Sequence, residues 1–258
     1  MQQSAYLKTA IEAAKAGEAV IRRYYEQNIQ VQIKEDRTPV TVADVETEHA
    51  IKAVIHAAFP DHGFFGEETG KTNPEAEYTW LVDPIDGTKA FVREYPMFST
   101  QIALMKGDEL ILGVSNAPEF DGGEMAWAEK GGGAFLNGKP IRVSGFQTLD
   151  QAALSAGNIK SLAQSPQWAG FGQICQTVNR TRGYGDFLHY HLLASGRIDL
   201  VIESDVNILD IAALSVIVRE AGGVFTDLDG QPLTLDTRSV LAACSREVYD
   251  QARGMLFG

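Results

Sequence analysis

The sequence is poor in cysteine, in positive charge and in long apolar runs, and each shortage removes a class of protein. Only two cysteines occur in 258 residues, Cys175 and Cys244, isolated from one another. They offer neither a disulfide framework nor metal-ligand spacing, and they suit a reducing compartment. No stretch of about 18 apolar residues is present, and the N-terminus runs into a charge-interleaved helical pattern in place of a secretory leader. A soluble cytoplasmic protein without a membrane partner is therefore expected. Lys and Arg number 22 against 34 Asp and Glu, a formal net charge of −12. That field repels a phosphate polymer and no local basic patch offsets it, so nucleic acid is not an expected partner. The chain also lacks a Gly-x-Ser-x-Gly elbow and a Cys beside a His, which weakens hydrolase chemistry through acyl or thiol intermediates. Internal repeats and low-complexity tracts are absent too.

What is present is an ordinary globular composition, 45% hydrophobic, in a length that suits one large domain or two modest ones. Leu7, Ile11, Ala14, Gly17, Ile21 and Tyr24 recur at steps of three and four, which predicts an amphipathic helix in which Gly17 allows a close helix contact. A second helix is predicted from the Thr41–Asp44 capping pattern, with Ile51, Val54, Ile55 and Ala58 inward and an end before Pro60. Strands follow at 78–82, 101–105, 110–115 and 135–143, the last bracketing an Asn137-Gly138 turn. Beyond the polar segment 144–150 the pattern alternates, with helices at 186–195 and 210–221 and strands at 198–203, 224–227 and 239–243. The expected class is mixed α+β. The expected division is 1–146, helices plus an antiparallel sheet, and 147–258, an α/β unit.

The stretch Trp80-Leu-Val-Asp83-Pro84-Ile85-Asp86-Gly87-Thr88 concentrates the chemistry. A buried strand delivers Asp83, Pro84 turns the chain and Asp86 returns three residues later, so two carboxylates and the Ile85 carbonyl can converge. Hard cations such as magnesium favour that oxygen set, whereas zinc favours His or Cys. Gly87 and Thr88 add backbone N–H groups and a hydroxyl where a phosphate could sit. The plainer alternative is an Asx turn at a strand end. Two other acidic features compete for the same site: Glu67 and Glu68 between Gly66 and Gly70, and Asp210 at the predicted helix start. Separately, they read as solvated loop charges and a helix N-cap. His189 and His191, two apart on a predicted helix, point to different faces, so packing or surface roles are expected for both.

Taken together, Gly-Glu-Glu at 66–68, Asp-Pro-Ile-Asp-Gly-Thr at 83–88, Leu-Asp-Ile-Ala-Ala at 209–213 and Glu-Ala-Gly-Gly at 220–223 resemble the inositol monophosphatase family along nearly the whole chain. One departure is Leu209, where the family often carries Trp. The resemblance implies a layered α/β/α/β/α sandwich, a homodimer and hydrolysis of a small-molecule phosphate ester. It implies two or three Mg2+ ions held by Glu67, Asp83, the Ile85 carbonyl, Asp86 and Asp210. Asp44 and Thr88 resemble the pair that orients the attacking water, with Glu67 assisting through a metal.

The resemblance also places Asp186 and Glu203 beside the alcohol part of the ester, against plainer readings as a helix N-cap and a strand-end surface charge. Gly185-Asp186, with Lys89 and Phe91 after Asp-Gly-Thr, is more similar to the histidinol-phosphate phosphatases of this superfamily than to the inositol enzymes. Histidinol phosphate is the first expected substrate and inositol monophosphate the second. Phosphoadenosine phosphatases share the Thr-Lys-x-Phe pattern, and some relatives act in transcription complexes. No basic or apolar patch for such a partner is evident in the sequence.

Overall fold

A computed structural model describes residues 3–25, 31–33 and 39–258. Two long helices come first in the layering: α1 (Ala5–Tyr24) and, after the short strands β1 (Val31–Ile33) and β2 (Pro39–Thr41), α2 (Val42–Ala58). Then follow β3 (Gly63–Gly66), β4 (Gly70–Thr72), β5 (Tyr78–Asp86), α3 (Thr88–Val92), β6 (Ser99–Lys106), β7 (Glu109–Ala117), β8 (Glu124–Glu129), β9 (Ala134–Leu136) and β10 (Lys139–Ile141). The remainder comprises β11 (Ala153–Gly157), α4 (Ile159–Ala163), α5 (Trp168–Thr177), β12 (Arg180–Arg182), α6 (Asp186–Ala194), β13 (Leu200–Ser204), α7 (Ile208–Glu220), β14 (Val224–Thr226), β15 (Ser239–Ala243) and α8 (Arg246–Phe257).

An eight-stranded sheet runs β10-β9-β8-β7-β6-β5-β3-β4 and a five-stranded sheet runs β12-β11-β13-β15-β14. The first sheet is antiparallel except where β3 lies parallel to β5, and in the second β11 is parallel to both of its neighbours. α1 and α2 cover one face of the large sheet, and α7 covers the other. α6 packs on α7 and β13, while α4 and α8 pack on the small sheet and α5 on α8. The result is the layered α/β/α/β/α arrangement. Among the described residues, no helix is long and apolar enough to cross a membrane.

The sequence explains this layering. β5 alternates its side chains between two cores: Trp80 and Val82 join the cluster under α1 and α2, and Leu81 faces the cluster around α7. In α7 nearly every residue from Ile208 to Val218 is buried, as expected of a helix between two sheets rather than at a surface. It sits so close to β7 that a Cβ on Gly113 would lie 2.2 Å from the Ala213 carbonyl oxygen. Gly17 likewise brings α1 onto α2, its would-be Cβ 3.1 Å from Ile51. Within α2 the inward face is made by Asp44, Thr47, Glu48, Ile51 and Ile55, whereas Ala58 is exposed at the helix end.

Candidate active site

The Asp83–Asp86 segment departs from the expected turn. β5 continues through Pro84 to Asp86, pairing Asp83 with Gln101 and Asp86 with Ser99, so three steps on β5 oppose two on β6. One extra residue forms a bulge that bends the strand and re-aims its side chains. Ile85 N–H donates to Asp83 Oδ1 at 3.0 Å, so the local Asx bond coexists with the clustering, and Thr100 Oγ1 donates to the Pro84 carbonyl at 2.8 Å. Gly87 ends the strand at φ 90°, where a Cβ would lie 2.6 Å from the Met97 carbonyl oxygen. Only glycine takes that turn without strain.

Asp210 is not the N-cap of its helix. Asn207 is the cap, and Asp210 occupies the third helical position, with Oδ2 accepting the Asn207 N–H at 2.8 Å. Asp44 repeats the device in α2: its Oδ2 accepts the Thr41 N–H and hydroxyl, both at 2.7 Å. In both capping boxes one carboxylate oxygen is committed to the helix end, which fixes the side chain and leaves the other oxygen for the site. For Asp44 that oxygen, Oδ1, lies 3.2 Å from Thr88 Oγ1, which also stands 3.1 Å from the Ile85 carbonyl oxygen.

One carboxylate oxygen from each of Asp83, Asp86 and Asp210 lies within 4.8 Å of the others. Glu67 joins them from the turn between β3 and β4, close enough to Asp83 to share a hydrogen bond with it. The cavity above them is about 340 Å³ and is also lined by Ile85, Gly87, Thr88, Lys89, Tyr95, Asn158 and Asp186. Burial is the first cause of raised carboxyl pKa values here, with like charges adding to it. Asp83 and Asp86 are held well above the usual carboxylate range, Asp210 is pushed to about 7 and Asp186 to about 6. Asp44 is raised by burial as well, against the opposing hydrogen bonds from Thr41 and Thr88. Asp86 Oδ2 is buried without any hydrogen-bond partner. An orphaned anionic oxygen in an all-oxygen cluster suits a hard divalent cation, which would supply the missing charge.

The sign of this effect on stability is fixed. The unfolded reference for Asp is about 3.9, so between roughly pH 4 and 7 the native state binds more protons and loses stability as pH rises. A bound cation favours the deprotonated form. In chelator, the melting temperature should fall from pH 5 to pH 8, and the increase produced by added Mg2+ should grow over the same interval. Differential scanning fluorimetry checks this, and a magnesium-induced shift independent of pH would remove these acids as its site.

Asp186 and Glu203 reach the same region but not as plain readings had them. Gly185 is the N-cap of α6, and Asp186 is its first helical residue, at a left-handed φ of 46°. Glu203 is buried in β13, not a surface charge, and accepts bonds from Tyr190 and His189. Both α6 histidines are buried beside carboxylates. His191 reaches Glu124 at 2.7 Å and Ser115 at 2.8 Å, so the two rings do diverge, but each joins a polar network. Sequence reasoning missed Glu48, fully buried, whose carboxylate accepts the N–H groups of Glu68 and Thr69 at 2.7 and 2.8 Å and so holds the turn that carries Glu67. Its signal was its place on the inward stripe of α2, one turn after Asp44.

The family model described as "Inositol monophosphatase family" matches residues 2–254. A protein named histidinol-phosphatase from Mycobacterium tuberculosis is 38% identical over 84% of this chain and 85% of its own length. A protein named inositol-1-monophosphatase from Mesorhizobium japonicum is 35% identical over 98% of this chain and 96% of its own. The solved structure of an inositol monophosphatase from Zymomonas mobilis superposes with a TM-score of 0.87 at 31% identity, covering 99% of this chain and 100% of that one.

Proposed function

Because the chain belongs to the inositol monophosphatase family, we propose that it is a magnesium-dependent phosphomonoesterase whose substrate is histidinol phosphate, an ester of histidine biosynthesis. The observation that carries the substrate is the pair of carboxylates, Glu203 buried and Asp186 open to solvent, lining the recess beside the acidic cluster. An ammonium on the leaving alcohol is the group such a lining favours. Glu67, Asp83, the Ile85 carbonyl, Asp86 and Asp210 would hold two or three ions. Bound there, magnesium would supply Lewis acidity for the phosphoryl oxygens and for a water.

The chain's own residues do the rest. Thr88 Oγ1 donates to Asp44 Oδ1 and keeps its lone pairs for a water's hydrogen, so the pair orients that water and takes its proton towards Asp44. Burial and the neighbouring Glu67 raise Asp44, which makes it a stronger proton acceptor than an ordinary carboxylate. Gly87, with no side chain, and the Thr88 N–H let the phosphate approach the backbone closely. Asp186 and Glu203 hold the leaving group in line.

Inositol monophosphate is the second reading, favoured by Glu203, whose buried carboxylate is equally an acceptor for a substrate hydroxyl. A homodimer in the cytoplasm completes the proposal, supported by the family resemblance and by the free state of Cys175 and Cys244. The deciding experiment is phosphate release with Mg2+ across histidinol phosphate, inositol 1-phosphate, phosphoadenosine phosphate and fructose bisphosphate. Histidinol phosphate should give the highest kcat/KM, and a preference for inositol 1-phosphate would replace it.

Asp186→Asn extends the test. A charge-assisted hydrogen bond is worth about 1.5–3 kcal/mol, so the variant should lose roughly 10- to 150-fold in kcat/KM for histidinol phosphate. p-Nitrophenyl phosphate, which has no ammonium, should lose far less. Equal losses on both esters would remove Asp186 from leaving-group recognition.

A further inference from the structure

Beside the acidic cluster the cavity narrows to a recess of about 40 Å³, where Glu203 meets Asp86, Asp186 and Asp210. A flexible carboxylate among three others is repelled from all sides, so something must hold it. Tyr190 donates its hydroxyl to Glu203 Oε2 at 2.6 Å, and His189 Nε2 lies 3.0 Å from the same oxygen. Behind the imidazole, Nδ1 stands 3.4 Å from Ser155 Oγ, and that oxygen accepts the Tyr184 N–H at 3.1 Å. The serine hydroxyl proton is therefore available to Nδ1, which leaves the ring proton on Nε2, pointing at Glu203. Both donors thus converge on Oε2.

Oε1 has a different surrounding. A Cβ on Gly157 would lie 2.0 Å from Oε1, 2.7 Å from Cδ and 3.1 Å from Cγ of Glu203, its three nearest atoms. The carboxylate fills the space that any side chain at 157 would need. His189 and Tyr190 are consecutive on α6, the helix that Asp186 begins, so one rigid element sets the position of both carboxylates.

We propose that His189 and Tyr190 are positioning residues that clamp Oε2 of Glu203 and so fix its carboxylate at the recess that faces the leaving group, with Gly157 as the gap that admits Oε1. The arrangement selects esters whose alcohol carries a hydrogen-bond donor, ammonium or hydroxyl, near the phosphate. It rests on the reading that Glu203 faces the leaving group. Two donors on one oxygen cost the side chain its freedom before substrate arrives, which is the condition for discrimination by a fixed carboxylate.

The test is steady-state kinetics of the Mg2+-loaded enzyme on histidinol phosphate, inositol 1-phosphate and p-nitrophenyl phosphate. The variants are Glu203→Gln, His189→Leu, His189→Gln, Tyr190→Phe and Gly157→Ala, each checked by thermal unfolding. His189→Leu, Tyr190→Phe and Gly157→Ala should each raise KM for the two donor-bearing esters about tenfold, with a much smaller change in kcat and in p-nitrophenyl phosphate turnover. His189→Gln, whose amide N–H reaches the place of Nε2, should recover most of the loss seen with leucine. Should His189→Leu fold poorly, the near-isosteric Tyr190→Phe and the single methyl of Gly157→Ala carry the test. Equal losses on all three esters, or none, in these variants, while Glu203→Gln loses selectively on the two donor-bearing esters, would overturn the clamp alone. A Glu203→Gln variant whose loss is the same on all three esters would overturn the leaving-group reading and the clamp with it.

Discussion

Asp83→Asn should lower kcat on the order of 10³-fold or more, because Asp83 stands at the centre of the acidic cluster, close to Glu67, Asp86 and Asp210 alike. Chelator should abolish wild-type activity and Mg2+ should restore it, as the oxygen-only donor set requires. Stability should move the other way. Asn keeps the oxygen that accepts the Ile85 N–H but removes one of several mutually repelling buried charges, so the variant in chelator should melt at or above the wild-type temperature near pH 7.5. It should also lose most of the magnesium-induced increase. The paired measurement separates a ligand from a structural residue: a variant that is inactive and also strongly destabilised in chelator would refute the assignment, as would full activity of metal-stripped wild type.

The second large effect is expected at the water-orienting pair. Thr88→Ala and Asp44→Asn should each reduce kcat by about 10²-fold or more, the scale of lost general-base assistance, with smaller changes in KM. The double variant should lose little beyond the worse single one, since Thr88 Oγ1 and Asp44 Oδ1 form one path 3.2 Å long and residues that act as a unit are non-additive. Asp44 also caps α2 through Thr41, so Asp44→Asn should cost some stability as well, whereas Thr88→Ala should not. Kinetics with denaturation of both singles and the double checks the scheme, and an unchanged kcat in either single would remove that residue from it.

The short-range features were legible from residues alone because their causes act within a few positions. Thr41 and Asp44 announce a capping box, and the inward spacing of α1 and α2 predicts their burial. The Asp83–Thr88 run, with Pro84 and Gly87 inside it, places two carboxylates and a carbonyl in one short segment whatever surrounds it. Even there a local rule misled. Pro84 reads as a turn, but the β6 neighbour holds the chain in the sheet and converts the extra residue into a bulge. Asp210 reads as a cap for the same kind of reason, because Asn207 three residues earlier competes for that role and wins it.

Distances between segments belong to the tertiary structure. Asp210 reaches Asp83 only because α7 lies on β7, in a contact so close that Gly113 has no room for a methyl group. Glu67 is held there by Glu48, an acid whose burial depends on two backbone N–H groups from a turn twenty residues away. His189, Tyr190, Ser155 and Gly157 leave no mark in periodicity or spacing, because each matters only through Glu203 on another strand. The residues that supply chemistry could therefore be named from their types and local order. Which oxygen of each carboxylate is committed to the fold, and which is left for substrate or metal, was decided by packing between layers, where one register or one glycine sets the approach.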